Sequence, residues 1–310
     1  MTALVTGATG FVGAALVRRL VAAGQEVHIL CRRNSELWRL NGIAGELRSH
    51  FVDLRDADGV ERCVAQIKPE VIYHLATYGG FAGQRDTEAI FGANLSGTMH
   101  LLRACEKVGF RCFVNTGSSS EYGMKGAPMR EDDLLEPLGD YGVSKAAATL
   151  FCRSEALQRA LPVVTLRLFS PYGPWDDPKR LIPYLIASLL QGTAPRLSTP
   201  DSVRDFVFID DVLDLFLRVD LLSGLSGEIL NVGSGVQTSI GEVAWELGEI
   251  IGAAAAPEWG ACASPRSEPA RWVADVERAR TLAGWEPRTG LRAGLEHTVA
   301  WMRDHLEHYR

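Results

Sequence analysis

Ala3-Leu4-Val5-Thr6-Gly7-Ala8-Thr9-Gly10-Phe11-Val12-Gly13 opens the chain with an apolar run, a glycine-spaced loop and the start of an amphipathic segment. Glycines in such a loop permit a tight turn, bring backbone amides close to a pyrophosphate and let the following helix pack on the strand. The helix N-terminus adds a field that favours anions. A strand, a Gly-x-x-Gly-x-x-Gly loop and a helix, in that order, predict a dinucleotide site. Its candidate cofactor-binding residues are Gly7, Gly10, Phe11, Val12 and Gly13.

The same alternation continues down the chain. Residues 3–6, 26–31, 47–52, 71–75, 112–115 and 163–169 read as strands, and each but the last is followed by helical periodicity. The expected fold is α/β: a doubly wound parallel sheet of the Rossmann kind, joined by right-handed helical crossovers. Ligands of such sheets lie beyond the carboxyl ends of the strands, where Gly7, Asp53, Ala76 and Ser118 fall. Past residue 169 the pattern loosens, although 205–209 and 228–232 are strand-like and are expected to return to the first lobe. The expected division is a dinucleotide-binding domain of 1–170 plus about 201–235, and a smaller, discontinuous C-terminal substrate lobe of about 171–200 plus 236–310.

Composition removes several function classes. Among 310 residues, 32 Lys and Arg stand against 38 Asp and Glu, a net charge of −6 with no basic run, so nucleic acid is not an expected partner. The six cysteines include no Cys-x-x-Cys pair and no histidine at zinc-site spacing; they read as buried thiols, and no metal is expected. No apolar stretch approaches the roughly 20 residues needed to cross a bilayer. Met1-Thr2 leads straight into an apolar strand with no signal-type segment, so the expected location is cytoplasmic and no membrane partner is expected.

Tyr141-Gly-Val-Ser-Lys145 lies in a helix-forming stretch. Residues four apart share a helix face, so the lysine ammonium favours the phenolate form of the tyrosine. Such a phenol can exchange a proton with an alcohol oxygen while hydride moves to or from a nicotinamide. The second strand ends Ile29-Leu30-Cys31-Arg32-Arg33, with no carboxylate for the adenosine ribose. Arg32 or Arg33 can pair with a 2′-phosphate instead, so NADP(H) is expected ahead of NAD(H). Asp53, followed by Leu54, either accepts from the adenine amino group or caps the helix near Asp56. Ala76 is small enough for backbone to approach a cofactor, and His74 reads as a buried structural imidazole.

The array Gly7-x-x-Gly10-x-x-Gly13, His74-Leu75-Ala76, Asn115-Thr-Gly-Ser118-Ser-Ser-Glu-Tyr122-Gly, Tyr141-x-x-x-Lys145, Arg167-Leu-Phe-Ser-Pro171-Tyr-Gly-Pro174, Arg204-Asp-Phe-Val and Gly284-Trp285-x-Pro287 resembles the extended short-chain dehydrogenase/reductases that act on nucleotide sugars. The resemblance covers essentially the whole chain. It implies that Ser118 occupies the catalytic Ser/Thr position and donates to the sugar C4 oxygen, beside Tyr141 and Lys145. It also implies that Lys145 binds the nicotinamide ribose, that the Pro171 and Tyr172 backbone lines the nicotinamide, and that Arg204 and Arg266 grip the substrate diphosphate. Ser119 and Ser170 take further substrate-facing positions, and Asn94 fixes the loop before the active-site strand.

Departures from the family pattern narrow the reaction. The Asp-Glu pair of the 4,6-dehydratases is replaced by Ser119 and Ser120, and elimination without a carboxylate lacks its proton acceptor. Ser170 replaces the usual Asn, which alters one contact to the nucleotide. The expected activity is NADPH-dependent reduction of the C4 ketone of a nucleotide-linked 4-keto-(6-deoxy)hexose. The alternative is a 4-epimerase with tightly bound NAD, and a third reading is a non-catalytic dinucleotide-binding regulator. The expected substrate is a nucleotide-diphosphate sugar and the expected assembly a homodimer.

Overall fold

A computed structural model describes residues 1–81, 83–262 and 270–309. The chain starts with β1 (Thr2–Thr6), crosses through α1 (Phe11–Ala22) to β2 (Glu26–Cys31) and reaches β3 (Leu47–Phe51). It returns through α2 (Ala57–Ile67) to β4 (Val71–His74), which pairs with the other side of β1. From there α3 (Thr87–Phe91) and α4 (Gly97–Val108) lead to β5 (Cys112–Ser118), and α5 (Gly139–Arg159) leads to β6 (Val163–Leu168). Every pairing in this sheet is parallel, and β4 and β6 are buried at every residue, as parallel strands covered on both faces must be. With β10 (Ile229–Val232) at one edge, the order β10-β6-β5-β4-β1-β2-β3 reverses between β1 and β4, which opens a crevice at their carboxyl ends.

Most strands begin and end within a residue of expectation, but β5 runs three residues past 115. Its Thr116-Gly117-Ser118 end pairs with Leu166, Arg167 and Leu168 of β6 although its composition reads as a turn. The register of the neighbouring strand outweighs local propensity there.

Beyond β6 the elements are β7 (Ser170–Tyr172), α6 (Leu181–Leu190), β8 (Arg196–Leu197), β9 (Val203–Phe208), α7 (Ile209–Phe216), α8 (Val219–Leu222) and β10 (Ile229–Val232). The chain continues with β11 (Gln237–Ser239), α9 (Ile240–Ile251), β12 (Glu258–Trp259), α10 (Glu277–Ala283) and α11 (Leu291–Asp304). Strand β10 joins the main sheet beside β6, as expected. Strand β9 does not: it lies between β7, parallel, and β11, antiparallel, in a separate three-stranded sheet. Its partners are set by its aromatic side chains. Phe206 and Phe208 meet the ring of Tyr172 edge-on, and α11 closes over that cluster at Gly294, where a Cβ would stand 2.2 Å from the Tyr172 hydroxyl.

Five of the six cysteines are buried free thiols; Cys262 is exposed, contrary to the expectation for all six. Among the described residues no helix is long and apolar enough to cross a membrane.

Candidate active site

A cavity of about 690 Å³ lies at the carboxyl ends of the strands, and the glycine loop forms one end of it. Gly7 has φ +69°, and a Cβ there would stand 2.6 Å from the Ala76 nitrogen. A Cβ on Gly13 would stand 2.2 Å from the Gly7 carbonyl oxygen. Side chains at these two positions would force apart β1, β4 and α1. Gly10 meets only the Gly7 oxygen, at 3.3 Å, and otherwise faces the cavity. It is also the N-cap of α1, with no side-chain cap and no acidic residue in the first turn. The first amides of α1 therefore keep their donors for the cavity, and this donor set suits a pyrophosphate.

Under this end runs a chain of buried hydrogen bonds. The Ala76 amide donates to Thr6 Oγ1 (3.2 Å), which contacts His74 Nδ1 (2.7 Å), while His74 Nε2 contacts Thr98 Oγ1 (2.8 Å). Thr98 Oγ1 donates its hydrogen to the Asn94 carbonyl (2.6 Å), so His74 Nε2 carries the ring hydrogen and Nδ1 accepts from Thr6. Burial, with the charge of Lys145, pushes the His74 pKa down to about 3, which keeps the ring neutral. Asn94 sits in a π-helical turn, Gly92–Ser96. Its Oδ1 accepts from the Tyr78 amide (2.8 Å), and its Nδ2 donates to the Tyr78 carbonyl (2.8 Å) and to Ser144 Oγ (2.9 Å). Ser144 donates in turn to the Tyr141 carbonyl (2.9 Å), so the strand ends are tied directly to the helix that carries Tyr141.

Ser118, Tyr141 and Lys145 line one cavity. Lys145 is nearly buried and its Nζ donates to the Thr116 carbonyl. Ser118 ends β5; its amide donates to Glu121 Oε1 (2.8 Å) and its Oγ accepts from the Ser120 amide (3.2 Å). With a lone pair of Oγ held by that amide, the hydroxyl hydrogen is left to donate into the cavity.

Gly7, Gly10, Phe11, Val12, Gly13, Arg32, Asp53, Leu54, Ala76, Ser119, Ser170, Pro171 and Arg204 line the cavity as well. Two residues singled out from the sequence do not. Arg33 turns outward, its guanidinium 5.8 Å from the Phe51 ring. Tyr172 is buried in the core of the second sheet, its hydroxyl on the Leu291 carbonyl (3.1 Å) and its pKa raised by burial. Arg266 lies outside the described residues. Of the two readings of Asp53, capping fails because Asp56 is the N-cap of α2, accepting from the Gly59 amide (3.0 Å). Asp53 instead faces the cavity with its carboxylate on Arg55 Nη2 (2.7 Å), and that hydrogen bond holds its pKa below the usual carboxylate range.

Sequence reasoning missed four residues. Arg39 is buried and spans the cavity edge, from Nε to the Trp175 carbonyl (2.7 Å) and from Nη1 to the Thr9 carbonyl (3.3 Å). Trp272 donates from Nε1 to Ser119 Oγ (3.2 Å) and faces Arg204, whose guanidinium is 5.8 Å from its ring. Arg180 lines the cavity beside Phe81, 5.6 Å from its ring. The fourth, Glu121, is wholly buried beneath Ser118. It stands in the Ser118-Ser-Ser-Glu-Tyr122 segment, where the Ser-x-x-Glu spacing of a capping box was the signal that could have found it.

Residues 3–233 match the NAD dependent epimerase/dehydratase family. The chain is 33% identical over 98% of its length to UDP-glucose 4-epimerase of Mycolicibacterium smegmatis, covering 99% of that protein. It is 29% identical over 97% of its length to dTDP-glucose 4,6-dehydratase of Streptomyces griseus, covering 94% of it. Among solved structures, UDP-glucose 4-epimerase of Thermus thermophilus in complex with NAD superposes with a TM-score of 0.87 at 29% identity, with 98% of this chain and 99% of that chain covered. The protein belongs to the NAD-dependent epimerase/dehydratase family and is an enzyme of the extended short-chain dehydrogenase/reductase type.

Proposed function

We propose that the protein is a nucleotide-sugar 4-epimerase that works with NAD, the reading placed second on sequence alone. The observation that carries it is the meeting of Ser118, Tyr141 and Lys145 in a cavity that begins at the uncapped N-terminus of α1. Likeness over nearly the whole chain to a UDP-glucose 4-epimerase, and to another crystallised with NAD, favours this reading over reduction. Ser119 and Ser120 line the cavity where elimination would need a carboxylate, which sets the dehydratases aside.

The amides at the start of α1 hold the cofactor pyrophosphate, and Asp53 faces its adenosine end. A bound nicotinamide supplies reversible hydride transfer. Tyr141 takes the proton of the C4 hydroxyl and later returns it, while Ser118 donates to the same oxygen as charge develops there. Lys145, one helical turn from Tyr141 on the same cavity wall, reaches the ribose. Arg204, with Arg180 as a second guanidinium, meets the diphosphate of the substrate.

A 4-ketoreductase using NADPH is the second reading, favoured by Arg32 on the cavity wall after a β2 strand that ends without a carboxylate. Assays run first without added cofactor and then with added NADPH separate the two. Purified protein that retains NAD and interconverts UDP-glucose and UDP-galactose supports the epimerase; protein that is empty and consumes NADPH only with a 4-keto sugar overturns it. Tyr141→Phe should lower kcat by about 10²–10⁴-fold under either reading.

The boundary between the two lobes is proposed so that β10 belongs to the dinucleotide-binding part and β9 to the substrate-binding part. A homodimer through α5 is proposed from Val143, Leu150 and Leu157, which are 40%, 53% and 65% exposed at heptad spacing along that helix. Sedimentation equilibrium of the purified enzyme tests it; a monomer at assay concentration would refute it.

A further inference from the structure

We infer that Glu121 is a positioning residue for Ser118, an inference that rests on the donor role proposed above for the serine. The Ser118 amide and the Glu121 carboxylate, with the Ser120 amide on Ser118 Oγ, form a capping box around a short turn. The molecule contains a second capping box, Ser239 and Glu242 at the start of α9, and the comparison isolates what is unusual about the first. Glu242 is exposed, and the box works with its charge in water. Glu121 has no exposed surface, a burial that capping alone does not require.

That burial is supported from several directions. Glu121 Oε2 accepts from Arg167 Nε at 2.7 Å, and Oε1 accepts from Thr149 Oγ1 at 3.0 Å in addition to the Ser118 amide. Arg167 is itself 1% exposed; its Nη1 donates to the Tyr122 hydroxyl at 2.9 Å, and its guanidinium lies 4.6 Å from the Tyr122 ring. The strand makes room for the pair: a Cβ on Gly117 would stand 2.7 Å from Glu121 Oε1 and 2.8 Å from Arg167 Cγ. The residue just before Ser118 is thus a glycine that admits a buried ion pair directly against the strand end.

The consequence is directional. The carboxylate fixes the Ser118 backbone from inside, and the Ser120 amide occupies a lone pair of Oγ, which leaves the hydroxyl hydrogen available to a group in the cavity. A donor held in this way costs no reorganisation when charge develops on the oxygen it faces. Charge-assisted hydrogen bonds of this kind are shorter and stronger than neutral ones, which suits them to holding a group in one place.

A double-mutant cycle on kcat and KM for UDP-glucose epimerisation tests the inference. Ser118→Ala should lower kcat by about a hundredfold. Glu121→Gln should lower kcat by about tenfold, with KM changed by less than about twofold, because a misplaced donor acts on the transition state more than on binding. Combined, the two should be no slower than Ser118→Ala alone, since Glu121 has nothing left to position. The charge-neutral pair Glu121→Gln with Arg167→Met, which leaves no buried charge unpaired, should behave like Glu121→Gln in the same cycle. Losses that multiply in the combined variants, or a Glu121→Gln enzyme with wild-type kcat, would overturn the positioning role alone. A Ser118→Ala enzyme as fast as wild type would overturn the role of Ser118 and this inference with it.

Discussion

Two buried polar networks lie beneath the one cavity, and they are built on opposite electrostatic plans. The network under the glycine loop, Thr6–His74–Thr98–Asn94, is neutral, and its geometry is fixed by the direction of each hydrogen bond: every hydroxyl both accepts and donates. The network under Ser118 is ionic, with Glu121 and Arg167 neutralising each other and Tyr122 and Asn231 completing it through a 2.7 Å hydrogen bond. A neutral chain that loses an inner member leaves uncharged donors or acceptors unsatisfied on either side of the gap. An ion pair that loses one member leaves a bare charge, which is far more costly. The end of the cavity where reactive groups must be held most tightly is therefore also the end least tolerant of substitution.

The largest expected effect breaks the ionic side. Arg167→Leu strands the Glu121 carboxylate and should cost about 3–5 kcal/mol in urea unfolding, as the loss of one partner of a buried pair does. A loss under about 1 kcal/mol would mean that the carboxylate finds water or takes up a proton, and the contrast between the networks would collapse. Thr98→Val tests the neutral side by removing the acceptor of the His74 Nε2 hydrogen; about 1–3 kcal/mol is expected, and Thr98→Ser, which keeps the hydroxyl, should restore most of it. If serine and valine were equally destabilising, the methyl rather than the hydroxyl would matter there.

The smallest effect is read from pH. Folded His74 resists protonation until about pH 3, whereas the unfolded imidazole takes its proton near 6.5. Its folded pKa is depressed, so its contribution to stability is present above 6.5 and is lost as pH falls from there toward 3. Between pH 7.5 and 5.5 this amounts to about 1.4 kcal/mol, the effect of one pH unit below the unfolded value. His74→Gln should lack this part of the slope. Parallel losses in wild type and variant over that range would show that His74 does not stay neutral.

The two networks also differ in how much of them the sequence reveals. His74 was readable as buried and structural because it ends an apolar strand, and a π-helical turn that places Asn94 leaves only a weak mark on periodicity. Glu121 is one charged residue after three serines, and nothing local says that Arg167, 46 residues away, will meet it. Arg32 and Arg33 are adjacent in sequence, yet one lines the cavity and the other packs on Phe51. Trp272 reaches Ser119 across 153 residues, a contact no window on the chain could contain.

The sequence by itself determined the strand–helix alternation, the glycine loop and the Tyr141–Lys145 spacing. Each depends on quantities local to a few residues: φ freedom at glycine, a period of two or of 3.6, and an interval of four along a helix. Only the tertiary structure decided that β9 leaves the main sheet for Tyr172 and α11, that Asp56 rather than Asp53 caps α2, and that Glu121 and Arg167 meet under Ser118. Those outcomes turn on which surfaces are buried against one another and on which charges lose their water together, and both are properties of the closed chain rather than of any segment of it.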